Sequence, residues 1–278
     1  MREISIDGCE IVGMGAIGTV YRIDEDTIVK VYNIPDCIPM IENEQKRSKQ
    51  AFLKGIPTAI SYDIVKVGDR YGSVFEMLKA STFSEMVIRH PERREETIRQ
   101  YARFIRQVHS VMMDPGELPD AKEVFRTYLD DLGSVVPEDI RAWLVRLLDA
   151  MPENLHVVHG DIQLKNVMVS GGEPLLIDMD TLSVGDPVFD LMCLFVTYRL
   201  YPEDDPLNIQ EFQGISQETA DFICDKGLQY YFEGREEEFI RKEKDRIMVL
   251  ACVRFLHLVA GHGYRQTRTK ADQDQQGP

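Results

Sequence analysis

The chain has 278 residues, 44% of them hydrophobic, and a formal net charge of −15. That is enough apolar material for one large domain or two lobes sharing a cleft, while no apolar run nears the ~18 residues of a membrane-spanning helix. So negative a chain disfavours a nucleic-acid ligand, whose phosphates need basic surface; it is compatible with a cationic small molecule and equally with plain solubility. The five cysteines (Cys9, Cys37, Cys193, Cys224, Cys252) are odd in number and lack C-x-x-C spacing, which argues against a disulfide framework and a zinc site. Cys193 and Cys252 lie in apolar helical stretches, where burial is the expectation. The opening MREISIDGCE lacks the basic-then-apolar layout of a signal peptide, so the expected location is cytoplasmic.

Residues 1 to about 75 read as β-rich. Short runs of branched residues occur at Ile4–Ile6, Glu10–Val12, Thr19–Ile23 and Thr27–Tyr32, and Asp24-Glu25-Asp26 makes a hairpin turn between the last two. Gly13-Met14-Gly15-Ala16-Ile17-Gly18 is a G-x-G-x-x-G string. A dinucleotide-binding fold would need a helix straight after it, so that the helix N-terminus meets the pyrophosphate. Here a strand follows instead. Lys30 is a charged residue in an apolar strand, either an edge residue turned to solvent or a cleft residue needing a carboxylate partner. A helix over about Met40–Lys54 offers Glu42 and Glu44. Glu44 shares a helical face with Ser48, Ala51 and Phe52 and is the favoured one. Two further strands, Ser61–Val67 and Tyr71–Met77, lead through Phe75–Lys79 into a helical region.

From Thr82 the chain turns helical, opening with Thr82-Phe83-Ser84-Glu85 as a capping box. Pro91–Met113 is a long amphipathic run in which His109 falls on the apolar face as a packed structural residue. Residues 114–155 form an acidic insertion with helices expected near 120–131 and 137–150. Its carboxylates read as a solvated face, or as a lining for a cationic acceptor. After Leu191 come a helix to Tyr201, an acidic loop at Glu203–Asp205, and helices near 216–233 and 236–262. The last of these carries a core stripe of Ile247, Leu250, Ala251, Phe255, Leu258 and Val259. The polar segment 265–278 is expected to be disordered.

The chemistry concentrates between His156 and Leu191. There His159-Gly160-Asp161 is followed by Asn166 and then by Asp178, with the apolar runs VVH, NVMV and PLLID as flanking strands. Phosphoryl transfer needs a carboxylate at the acceptor hydroxyl and oxygen ligands for magnesium on the phosphates. Asp161 suits the first task; Asn166 and Asp178 suit the second. A single aspartate in a loop is commonly a turn former, but the H-G-D-x-x-x-x-N…I-D spacing is harder to reach by chance. Asp180, two residues on, would face the same way on an extended strand.

This pattern resembles the aminoglycoside phosphotransferase and choline kinase group, a branch of the protein-kinase-like fold. The resemblance implies an α+β, two-lobed protein, with a β-rich nucleotide-binding lobe over 1–78 and a helical lobe over 79–264. It also implies that Gly13, Gly15 and Gly18 cover the phosphates of ATP, with Lys30 and Glu44 gripping them. Glu76 and Leu78 would meet the adenine edge through their backbone, and Asn166 and Asp178 would hold Mg2+. His159 would brace the loop. Asp190, in a G-D-P-x-x-D-L segment, would cap a helix and bond the loop backbone. Asp-Met-Asp in place of D-F-G, Gln163 in place of the usual lysine and the lack of an A-P-E segment speak against a protein substrate. The implied activity is magnesium-dependent transfer from ATP to a hydroxyl of a small molecule, cationic or sugar-like. A kinase or regulator acting on a protein partner is the alternative, with no nucleic acid or membrane partner expected. A catalytically silent nucleotide-binding module and a dinucleotide oxidoreductase are weaker rivals.

Overall fold

Branched side chains pack well on a pleated surface, and they build the first part of the chain into strands. In a computed structural model, which describes residues 1–15 and 17–261, these are β1 (Arg2–Glu3), β2 (Glu10–Met14), β3 (Gly18–Arg22) and β4 (Thr27–Tyr32). The hairpin expected around Asp24–Asp26 forms, with Val20 opposite Lys30 and Tyr21 opposite Val29. The strand expected at Ile4–Ile6 does not form. Ser5 Oγ instead accepts from the Asp7 N–H at 3.1 Å, a local turn that competes with strand pairing.

Helix α1 (Ile38–Leu53) starts with proline in its first turn and buries Ile41, Glu44, Ser48 and Ala51. Phe52 was expected on that face but is 55% exposed. Eight residues at about 100° each carry it roughly 80° past Glu44. Strands β5 (Asp63–Val67) and β6 (Arg70–Glu76) complete a sheet in the order β1-β5-β6-β4-β3-β2. Its core is Val29, Val31, Val65, Val67 and Val74.

The chain does not pass from β6 directly into helix. A short strand β7 (Ala80–Thr82) intervenes before α2 (Phe83–Arg89). The capping box forms reciprocally: Glu85 N–H donates to Thr82 Oγ1 at 3.1 Å and Thr82 N–H to Glu85 Oε2 at 3.2 Å. Helix α3 (Arg94–Val108) follows a 3-10 turn at Pro91–Arg93 and stops short of Met113. Just past its end, Ser110 Oγ donates to the Gln107 carbonyl at 2.6 Å, a local bond that competes with helix continuation. The insertion forms α4 (Ala121–Asp131), capped by the Asp120 carboxylate, and α5 (Glu138–Ala150).

Then come β8 (Val157–Val158), β9 (Val167–Ser170), β10 (Glu173–Leu176) and β11 (Ser183–Val184), followed by α6 (Val188–Phe195). A π-helical stretch at Val196–Leu200 leads into α7 (Tyr201–Asp204). Helix α8 (Pro206–Gln213) was not foreseen. The acidic run before it hid a cap-plus-proline start, in which Asp205 accepts from the Leu207 N–H at 3.1 Å. Helices α9 (Gln217–Tyr231) and α10 (Glu237–Gly261) close the described chain. On α10, Ile247, Leu250 and Ala251 are buried and Phe255, Leu258 and Val259 half-buried, but Cys252, expected inside, is exposed.

Two compact units divide the chain: Met1–Arg89 with Leu164–Leu182, and His90–Gln163 with the described residues from Ser183 on. These do not follow the expected 1–78 and 79–264 bounds. Helix α2 and the segment carrying β9 and β10 go with the first unit, because β9 pairs with both β7 and β10. Strands β8 and β11 pair within the second unit. The tail 265–278 lies outside the described residues. No helix among them is long and apolar enough to cross a membrane.

Candidate active site

In the first unit, Lys30 sits in the middle of β4 and pairs directly with the Asp178 carboxylate, while Glu44 Oε2 of α1 lies 3.6 Å from its Nζ. Glu42 is exposed. Burial would lower the Lys30 pKa, but Glu44 and Asp178 outweigh it and hold it above its ordinary value. Glu44 is itself anchored by Tyr32, whose hydroxyl donates to Glu44 Oε2 at 2.8 Å and lies 3.2 Å from Ser73 Oγ. Sequence reasoning missed Tyr32, although it stands two residues from Lys30 on the same strand face.

Asp178 has left-handed backbone angles, φ 63° and ψ 61°, and opens a 3-10 turn at Met179–Thr181. Aspartate tolerates that conformation better than most residues. Asp178 and Asp180 therefore do not share the extended strand expected of them. The Asp180 carbonyl instead accepts from Arg47 of α1. Ile177 N–H donates to the Asn166 carbonyl at 3.0 Å, so Asn166, itself buried, and Asp178 branch from one hydrogen-bonded stretch of backbone.

The glycine string spans the end of β2 and the start of β3, and Gly15 N–H closes the turn on the Gly18 carbonyl at 2.9 Å. Ala16 lies outside the described residues. A Cβ on Gly18 would come within 2.6 Å of the Val31 carbonyl, so β4 has to give way to any side chain there. Gly18→Ala should cost about 1–3 kcal/mol, read as a lower unfolding midpoint in urea. Gly13 and Gly15 meet no such obstacle. Glu76 is exposed at the end of β6 and Leu78 half-buried; between them, Met77 N–H donates to the Asp26 carbonyl at 2.7 Å.

In the second unit, the loop carrying Asp161 is held from behind by Asp190, which is fully buried. Its carboxylate accepts from His159 N–H at 2.7 Å and Gly160 N–H at 2.6 Å. Gly160 takes φ +82°, a region that favours glycine. His109 Nε2 lies 2.9 Å from Asp190 Oδ2 and Nδ1 lies 2.9 Å from the Tyr231 hydroxyl. A carboxylate only accepts, so Nε2 donates to it. Asp190 was also expected to cap a helix. It lies inside the first turn of α6, and Asp186 Oδ1 instead accepts from the Val188 N–H at 3.0 Å. On the loop itself, Gln163 Nε2 donates to Asp161 Oδ2 at 2.9 Å, and Gln213 of α8 donates to Gln163 Oε1 at 2.8 Å. Gln213 was missed along with its helix.

Burial would raise the Asp190 pKa, but the His109 bond and the flanking amide outweigh it and hold it below its ordinary value of 3.8. The unfolded chain then binds this proton more readily than the folded one. The contribution of Asp190 to stability is complete above about pH 5 and drains away as pH falls through that ordinary value toward the depressed one. Thermal unfolding followed from pH 7 to pH 3 should show a steep acid loss, shallower in Asp190→Asn.

Several carboxylates of the acidic insertion are engaged within the protein. Asp120 caps α4, Arg126 pairs with Glu123 and Asp149, and Asp131 pairs with His257.

The fold is α+β and protein-kinase-like, and the protein is an ATP-dependent small-molecule phosphotransferase. The chain belongs to the phosphotransferase enzyme family, which it matches over residues 8–221. Among solved structures it is similar to the aminoglycoside phosphotransferase APH(3'')-Id from Streptomyces rimosus ATCC10970. The identity is 20% and the TM-score 0.53, covering 88% of this chain and 93% of that one. It is also similar to the gentamicin-APH(2")-IIa complex, at 15% identity and TM-score 0.55 over 98% and 92% of the chains. The GDP and kanamycin complex of APH(2")-IIia gives 12% identity and TM-score 0.59 over 97% and 92%. At such identities the likeness speaks for the fold. No curated protein matches the chain.

Proposed function

We propose that the protein moves the γ-phosphate of ATP to a hydroxyl of a small molecule in the cytoplasm, with Asp161 receiving that hydroxyl and Lys30, held by Glu44, gripping the phosphates. The observation that carries this reading is the Lys30 ammonium gathered between Glu44 and Asp178 inside a β-sheet unit. A lysine fixed in this way is a positioned charge for a phosphate chain rather than a solvated surface group. Gly13, Gly15 and Gly18 would cover the phosphates with backbone alone. Because the Met77 amide already serves Asp26, the adenine edge would be met by the backbone of Glu76 and Leu78.

Asn166 and Asp178 offer one amide and one carboxylate oxygen. These suit magnesium, which prefers oxygen ligands and takes the rest from phosphates and water. The ion would offset charge on the transferring group. The protein's own share is to orient: Asp190 stiffens the loop, Gln163 fixes one Asp161 oxygen, and the other oxygen would accept from the acceptor. Strong deprotonation is not needed, since the transferred group is loosely bonded in the transition state.

The acceptor is a small hydroxylated molecule. A cationic one was expected from the acidic insertion, and that support weakens because Asp120, Glu123, Asp131 and Asp149 are engaged internally. The test is ADP release with ATP and magnesium against aminoglycosides, choline, sugars, hydroxy acids and a generic protein, with Asp161→Ala as blank. Acceptor-dependent release lost in the blank supports the reading. ADP release with the generic protein alone, or no binding of ATP, would overturn it.

A further inference from the structure

Arg254 on α10 is a half-buried cation that touches no carboxylate among the described residues. Its Nη1 donates to the Tyr128 hydroxyl at 2.8 Å, and its guanidinium lies 5.6 Å from the centre of that ring. Among the described residues it forms no ion pair. Acids outnumber lysine and arginine 47 to 32 in this chain, and Arg126, Arg199 and Arg246 each hold two carboxylates. A cation withdrawn from bulk water without a direct carboxylate contact keeps donors to spare. It is worth keeping where a ligand brings the opposite charge.

Arg254 lies within electrostatic reach of Cys193, Tyr128 and Asp161. Cys193 Sγ is 3.1 Å from the Gly160 carbonyl, directly before Asp161. Tyr201, the residue that follows the π-helical stretch, is influenced by both Arg254 and Asp161. Interruptions of that kind recur at functional sites. Tyr128 is held still by His257, stacked on it at 4.3 Å, and His257 is paired in turn with Asp131 at 2.9 Å. Burial would lower the Arg254 pKa, but the Cys193, Tyr128 and Asp161 neighbours hold it raised, and the group stays charged.

We propose that Arg254 selects the acceptor, binding a carboxylate or phosphate group of the molecule whose hydroxyl is presented to Asp161. The substrate class is then a hydroxylated anion. This rests on the phosphotransferase reading and deepens it. Nε and Nη2 of the guanidinium offer a planar fork that matches such an oxyanion, while Nη1 stays with Tyr128. The same fixed charge works against an aminated acceptor.

The test compares acceptors matched in skeleton and differing in charge: gluconate, glucose and glucosamine; glycerate, glycerol and serinol; glycerol 3-phosphate as the phosphate arm. Binding is measured by calorimetry in the presence of a nonhydrolysable ATP analogue and magnesium, and turnover by ADP release. In the wild type, at least one anion should bind ten times or more tightly than its neutral partner. Whether carboxylate or phosphate does so names the group. Arg254→Gln should abolish that preference while the nonhydrolysable ATP analogue binds as it does to the wild type. Arg254→Lys should restore part of it, which separates lost charge from lost folding. The proposal is overturned if no anion outbinds its neutral counterpart, or if Arg254→Gln leaves the preference intact. ADP release with a neutral or aminated acceptor, together with that result, would leave the phosphotransferase standing without its anionic substrate.

Discussion

Asp161→Asn should lower kcat by about 10²–10⁴-fold, the usual worth of a positioned proton acceptor, and leave nucleotide binding as it was. The substitution keeps the shape of the side chain. It also keeps an oxygen for Gln163, which donates to Asp161 Oδ2 at 2.9 Å. The Asp161 N–H still meets His159 Nδ1 at 3.3 Å, and the buried Asp190 still holds the two preceding amides. The loop therefore has no reason to move. What disappears is the charge that would draw the acceptor hydroxyl into line. The split to look for is a collapsed kcat with an unchanged Kd for ATP, measured by single-turnover ADP formation and by nucleotide titration. Turnover within a few-fold of wild type would remove Asp161 from the chemistry.

A second large effect is expected in the first unit. Asp178→Asn should lower turnover by about 10²–10³-fold, as for the loss of one group aimed at developing charge. It should also shift magnesium activation to concentrations at least about tenfold higher. Asparagine is among the few side chains at ease with φ 63°, so the backbone at this corner should hold. Lys30 would lose its charged partner at Asp178 and keep Glu44 at 3.6 Å. Stability should change little, because Asp178 is more than a third exposed and water screens the pair. Loss of rate with an unaltered unfolding midpoint is therefore the diagnostic combination. A large fall in the midpoint would make Asp178 a structural residue first. Full activity at ordinary magnesium would take it out of the metal site.

Much of this arrangement could be read from the sequence, because the signals are local. Branched runs closed by Asp24–Asp26 and by Gly68–Asp69 fix the strands around Lys30. Helical spacing alone turns Glu44 inward and leaves Glu42 outside. The reciprocal bonds of Thr82 and Glu85 were likewise visible as a four-residue pattern. Features that depend on distant partners were not visible. Strand β7 is three small residues with no pattern of their own, and it exists because β9 arrives some ninety residues later to pair with it. The turn at Asp178 replaces the extended geometry that the apolar run before it suggests. Tyr32, Tyr231 and Gln213 serve the site through single hydroxyl or amide contacts, which leave no periodic trace. Asp190 sits among apolar helical residues and could be singled out only through the G-D-P-x-x-D-L resemblance.

The first unit is completed by Leu164–Leu182, a segment that lies in the chain between the two stretches of the second unit. During synthesis the six-stranded sheet can assemble from the first ninety or so residues, yet the small sheet of β7, β9 and β10 and the Asp178 partner of Lys30 must wait. Domains that emerge in one piece can fold as they leave the ribosome; this unit cannot finish until about two-thirds of the protein has been made. Its closing contacts, β7 with β9 and Lys30 with Asp178, span about ninety residues in one case and 148 in the other, and contacts of such separation form late. A nascent chain halted before residue 164 would therefore leave β7 without its partner β9, its open backbone groups a natural place for a chaperone to bind and for aggregation to begin.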